Sequence, residues 1–203
     1  MRFLPDFYLT REQHDTALTR FFRYFASWAQ RATPHLFYRD MDIALWTENE
    51  ADLPVVAPNY SPLLHNMCLA LGLAFSDEEH LRALSTRRVF ANEGAKHIDR
   101  ECANPCVATV QALAIRSSFA STMGDYSLGW VNHGLANRLC YALGLHVNTL
   151  PLVSRGKLNP EAMVQRNVTF WSCYCQEGMW GIYIGRKPMM QDNRWVSTSE
   201  GPR

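Results

Sequence analysis

No Cys-x-x-Cys pair occurs anywhere in the 203 residues, so the chain lacks the thiol spacing commonest in structural zinc sites. No run approaches the roughly 18 apolar residues that cross a bilayer, so no membrane partner is expected. An excess of one charge is missing too. Lys and Arg number 20 against 19 Asp and Glu, a formal net charge of +1, which gives no global field to gather nucleic acid or an anionic membrane. The opening Met1-Arg2-Phe3-Leu4-Pro5-Asp6 breaks its apolar run at once and does not read as a secretory signal. Also absent are Gly-x-Ser-x-Gly, His-Glu-x-x-His, a phosphate loop and Gly-x-Gly-x-x-Gly. No catalytic residue is assigned, and an enzyme is not expected.

Six cysteines are present, Cys68, Cys102, Cys106, Cys140, Cys173 and Cys175. Cys102 and Cys106 could share a helix face, but no second ligand pair follows them at a useful spacing. They read as buried reduced thiols in an intracellular compartment, with no metal ligand and no cofactor in this chain. Among the seven histidines, His65 follows a helix start amid apolar residues and reads as a packing residue. His133 lies beside Trp130 on a predicted hairpin. Arg82, Arg87, Arg88, Lys96 and Arg100 are interleaved with Glu78, Glu79, Glu93, Asp99 and Glu101, which marks a solvated face and not a nucleic-acid stripe.

Hydrophobic residues make up 47% and aromatics 12%, enough to bury a core. Their period is helical almost throughout. Thr10 and Gln13 form a capping box ahead of Leu18, Phe22, Phe25, Ala29 and Ala32. Residues 34–59, with Pro34, Pro54 and Pro58, lose the period and read as a loop with at most a short helix. Ser61-Pro62, Asn104-Pro105 and Asn159-Pro160 each place a side-chain acceptor at a cap and proline at the first helical position. Ser76 with Glu79 predicts one further helix reaching about Arg100. The spacing predicts a stripe of Leu128, Val131, Leu135, Leu139 and Ala142 ending at a left-handed Gly144. It predicts another of Val164, Val168, Trp171, Cys175, Met179 and Ile182 along 160–184. No useful strand alternation occurs. The expected fold is all-α, a multi-helix array around a central antiparallel hairpin of helices 105–123 and 127–143. Residues 1–60 form its N-terminal helix and Pro-containing loop, 61–190 its helical core and 191–203 a polar tail.

From about Leu18 to Met190 the spelling resembles the fungal-specific transcription factor domain, the regulatory region of fungal activators with a binuclear zinc cluster. The resemblance rests on four blocks in order. They are Phe21-Phe22-Arg23-Tyr24-Phe25 with Pro34-His35-Leu36-Phe37, and the segment from Ser61 to Gly72. Then come Thr109 to Leu113 with Gly129-Trp130 through Gly134, Arg138 and Leu143-Gly144-Leu145-His146, and finally Arg166, Phe170-Trp171 and Gly185-Arg186-Lys187-Pro188. The resemblance implies that Trp130, Gly134, Arg138, Gly144, His146, Arg166, Phe170, Trp171, Gly185, Arg186 and Pro188 are structural or regulatory positions.

It also implies a nuclear regulator of transcription whose DNA and zinc binding lie in a separate cluster that this sequence does not contain. Its partners would be other segments or copies of a transcription factor and a metabolite inducer, with DNA reached only through the absent module. Relative to the family, Asn167, Ala142 and the pair Glu177-Gly178 replace charged residues, and Lys187 displaces a proline. The expected reading is an incomplete member, lacking helices at its C-terminal end, in which a buried charge network dissolved as a unit. A stand-alone helical interaction module or dominant-negative partner is the alternative.

Overall fold

The computed structural model describes residues 3–28 and 32–190. Among them are eleven α-helices and no strand. In order these are α1 (Arg11–Arg20), α2 (Pro34–Trp46), α3 (Leu53–Val56), α4 (Pro62–Gly72), α5 (Glu79–Arg82), α6 (Leu84–Ala95), α7 (Ile98–Ala103), α8 (Val107–Thr122), α9 (Tyr126–Ala142), α10 (Leu150–Ser154) and α11 (Pro160–Ile184). The fold is all-α. No described helix is long and apolar enough to cross a membrane.

The caps explain where helices begin. The Thr10 hydroxyl accepts from Gln13 N–H while Gln13 answers at Thr10 N–H. Ser61 Oγ accepts from Leu64 N–H, and Asn159 Oδ1 from Glu161 N–H. Two expected starts are displaced. Asn104 closes α7, and α8 begins after Cys106, whose thiol and backbone N–H both meet Thr109. Ser76 binds Glu78 N–H, one turn ahead of α5.

Residues 34–46 are helical where the sequence suggested a loop. Pro34 serves as a first-turn proline, and the buried Asp40 staples α2 to the chain ahead of α4 by accepting from Asn59 N–H and Nδ2–H at 2.8 and 2.9 Å. That tertiary bond outweighs the missing apolar period. The single helix expected over 76–100 is instead three. Ala83, with ψ of 140°, separates α5 from α6, and Lys96-His97 separates α6 from α7. Thr86 Oγ1 donates to His80 O at 2.6 Å across the first break, a local bond that competes with a continuous helix.

α4 is buried along its whole length and forms the axis of the core. α1, α6 and α8 surround it, and α9 and α11 pack against the far side of α8. Beyond α1 the chain widens into a π-helical turn at Phe21–Phe25, which buries Phe21 and Phe22 against this core. Ala29, expected on the first stripe, and residues 191–203, expected as a polar tail, lie outside the described residues.

Candidate functional site

The end of the molecule built by α8, α9 and α11 carries most of the residues singled out by spelling. α9 ends on Gly144 at φ +63°, with Leu145 N–H bonded to Cys140 O and Gly144 N–H to Tyr141 O. Only glycine takes that backbone shape without strain. Arg166 on α11 completes the cap, donating from Nη2 to both Leu143 O and Gly144 O at 2.9 Å. His146 follows, its ring 4.9 Å from that of Tyr141.

α11 also ends on a left-handed glycine, Gly185, at φ +66°. The chain then folds back along α11 and α9. Arg186 sets its guanidinium 5.8 Å from the centre of the Trp130 ring, and Met189 N–H donates to Glu177 Oε1 at 2.6 Å. Pro188 lies against Gly181, where an added Cβ would approach its ring to 3.0 Å. Thus Trp130, Gly185, Arg186 and Pro188 are brought together at one return turn, and Gly144, Arg166 and His146 at another. Phe170 is buried between the helices, Gly134 packs near Met189, and Arg138 faces solvent.

The two predicted stripes are corrected by the structure. On α9 the buried residues are Gly129, Asn132, His133, Ala136, Asn137, Leu139 and Cys140, while Leu128, Val131 and Ala142 are exposed. On α11 the buried residues include Gln165, Thr169, Cys173, Gln176, Glu177 and Trp180, while Val164, Trp171, Cys175, Met179 and Ile182 face outward. Both sets repeat at the helical period. Apolar content alone selected the outward one, except at Leu139, which belongs to the buried set, and at Leu135 and Val168, which are partly buried.

The inner set is held by hydrogen bonds. Gln111 Nε2 donates to Thr169 Oγ1 at 3.0 Å, Asn137 Nδ2 to Glu177 Oε2 at 2.7 Å, and Trp180 Nε1 to Ser117 Oγ at 2.9 Å. His133 Nε2 lies 3.3 Å from Glu177 Oε2, both side chains sealed from solvent. A polar network therefore joins α9 to α11, in which Glu177 is the carboxylate. Its members are amides, hydroxyls, the Trp180 indole, the His133 imidazole and one carboxylate.

What this leaves on the outside is an apolar helix face. Ile182 is 88% exposed and Trp171 43%, with Val164, Met179 and Tyr183 beside them. Among the basic residues of α5–α7, Lys96 pairs with Glu93 and Arg100 with Glu50. Among the described residues no three His, Cys, Asp or Glu side chains converge as metal ligands. Cys106 is engaged by Thr109, and the Cys140 thiol, hydrogen-bonded to Cys173 and buried, is pushed well above its ordinary range. These cysteines do not fit a zinc cluster.

Residues 18–195 match the fungal specific transcription factor domain. The nitrogen assimilation transcription factor nirA of Emericella nidulans is 30% identical over 178 residues, covering 84% of this chain and 18% of its own length. The nitrogen assimilation transcription factor nit-4 of Neurospora crassa is 29% identical over 174 residues, 79% of this chain and 14% of its own. An uncharacterized transcriptional regulatory protein of Schizosaccharomyces pombe is 27% identical over 135 residues, 64% of this chain and 21% of its own. The chain thus spans about a fifth or less of each of these curated relatives, which are named as transcriptional regulators and not as enzymes. No solved structure matches it.

Proposed function

The chain belongs to the fungal specific transcription factor domain family, and from that premise we propose that it acts in the nucleus as the controlling domain of a transcription regulator, without catalysis and without reading DNA itself. The observation that carries this reading is the outward apolar face of α11, running from Val164 through Trp171 and Met179 to Ile182. An interior that spends amides and a carboxylate on the inner face, while Ile182 and part of Trp171 meet water, leaves a surface whose burial becomes favourable when another element covers it. Another segment of the same regulator is the proposed cover. Control then follows as a population shift between covered and uncovered arrangements. DNA recognition is assigned to a separate module, since the intermixed charges of α5–α7 offer no phosphate-binding stripe.

Reporter transcription tests this reading. The chain is placed between a heterologous DNA-binding module and an activation segment, and output is compared with the same fusion lacking it. A severalfold change in output is expected, and equal output overturns the reading. The same face also suits a stand-alone interaction module that binds a second copy. Size-exclusion chromatography of the isolated chain separates the cases, with a monomer expected under the controlling-domain reading.

A further inference from the structure

The sign of charge divides along the chain. Residues 1–101 carry eleven Lys and Arg against fourteen Asp and Glu, whereas residues 102–190 carry seven against three. Residues 191–203 hold two of each sign and leave that balance unchanged. The three acids of 102–190 are committed. Asp125 Oδ1 accepts from Leu128 N–H at the start of α9, Glu161 binds Arg39, and Glu177 is buried at the seam.

The outer side of α9 gathers part of this positive charge around an apolar ridge. Leu128, Val131 and Leu135 follow one another at three and four residues, so they line one side of the helix. Val131 is 62% exposed and Leu128 39%, while Leu135 is partly buried. Trp130 and Asn132 project about 100° to either side of Val131, and each leads to an arginine. Arg186 of the return turn lies over the Trp130 ring. Arg116 of α8 donates from Nη1 to Asn132 Oδ1. A third, Arg138, is exposed one turn beyond Leu135. Among the described residues no carboxylate pairs with any of the three. Arg116 is partly buried, which pushes its pKa down, and Asn132 leaves it further N–H donors for an acid.

An acidic amphipathic peptide meets both features at once. Its aliphatic side chains cover the ridge while its carboxylates take the guanidinium groups, in the helix-on-groove manner. A nucleic-acid backbone would satisfy the arginines only by laying phosphates over Leu128 and Val131, where they lose hydration without a partner. A membrane surface draws on cations that reach headgroup level together, whereas Arg116 is held against Asn132. We propose that the outer face of α9 is a docking surface for an acidic amphipathic protein segment, with aliphatic residues at helical spacing between Asp and Glu. This surface lies on α9 and does not rest on the regulatory role given to α11.

Fluorescence anisotropy of the intact chain with labelled peptides decides the matter. The probe is a four-turn peptide with Leu and Ile at three- and four-residue spacing and Asp or Glu between them. One control replaces every acid by its amide, and a second replaces every Leu and Ile by Ser. The probe is expected to bind with a Kd of about 20 μM, more weakly as salt screens the arginines. Each control should bind at least about tenfold more weakly. Val131→Glu and Arg138→Glu, both at exposed positions, should each weaken the probe about tenfold at unchanged Tm. Ile182→Glu on α11 should leave its affinity unchanged. Four results overturn the surface. They are no binding at about 400 μM probe, a control that binds as well as the probe, affinity kept in both α9 variants, and tighter binding of duplex DNA or of vesicles made from equal parts phosphatidylserine and phosphatidylcholine. None of them touches the reporter result, so the two readings fail separately.

Discussion

His14 on α1 and His65 on α4 share a hydrogen bond inside the core, their Nε2 atoms 2.8 Å apart. Its direction follows from its neighbours. His14 Nδ1–H donates to the Asp15 carboxylate at 2.8 Å, which leaves His14 Nε2 as acceptor. His65 Nε2–H therefore donates, and His65 Nδ1 accepts from the Tyr60 hydroxyl at 3.1 Å. A partly exposed carboxylate thus sets the tautomer of an imidazole two residues further in.

Burial, reinforced by His14, lowers the His65 pKa from 6.5 to about 3. Burial raises that of Glu101, whose Oε1 accepts from Leu63 N–H at the start of α4, from 4.5 to about 6. The two act in opposite senses. Between pH 6.5 and 3 the unfolded chain holds the His65 proton and the folded chain does not, so this contribution is lost as pH falls. Between 4.5 and 6 the folded chain holds the Glu101 proton and the unfolded chain does not, so that contribution is lost as pH rises. Urea midpoints should be nearly flat from pH 6 to 4.5 and drop below it. In Glu101→Gln the drop should begin near pH 6.5, approaching about 1.4 kcal/mol per pH unit. An unchanged profile in that variant would contradict the assignment.

Two glycines of α9, one helical turn and a residue apart, should respond oppositely to alanine. A Cβ at Gly129 would meet Trp180 Cη2 at 2.5 Å and Ser117 O at 3.1 Å, whereas at Gly134 the nearest atom is Met189 Cε at 3.4 Å. Gly129→Ala should cost about 1–3 kcal/mol. Gly134→Ala should be neutral or stabilise by up to about 1 kcal/mol through helix propensity. Thermal melts of the pair check this.

Glu177→Ala should be among the most damaging single changes at the α9–α11 seam. It strands the Asn137 amide and Met189 N–H, both of which donate to this carboxylate, and removes the charge facing His133. A loss of about 3 kcal/mol is expected in denaturant melts. Glu177→Gln, which keeps one carbonyl acceptor, should lose less.

The fold class was legible because capping and period act locally. Thr10, Ser61, Asn159 and Gly144 each do in the structure what their residue types dictate. The orientation of α9 and α11 was not legible. Their inner faces are chosen by partners far away in the chain, such as Gln111 for Thr169 and Ser117 for Trp180, and a count of apolar residues carries none of that. The helix at 34–46 was hidden for the same reason, since Asp40 is buried only because Asn59 meets it. A signal for the seam was present in the runs Asn132-His133 and Gln176-Glu177, polar pairs set at helical spacing between apolar residues. The pairing of Trp130 with Arg186 joins two spelled motifs, although nothing in their spacing brings them together.

Reporter output from fusions carrying Trp171→Glu or Ile182→Glu, read beside their melting temperatures, measures the controlling role of the α11 outer face most directly. Ile182 is 88% exposed, so Ile182→Glu should change stability by no more than about 0.5 kcal/mol, whereas Trp171→Glu, at a side chain 43% exposed and packed on Phe170 and Tyr174, should cost about 1–2 kcal/mol. Output should shift severalfold toward that of the fusion lacking the domain. Parental output from both variants, with the fold intact, would contradict the account.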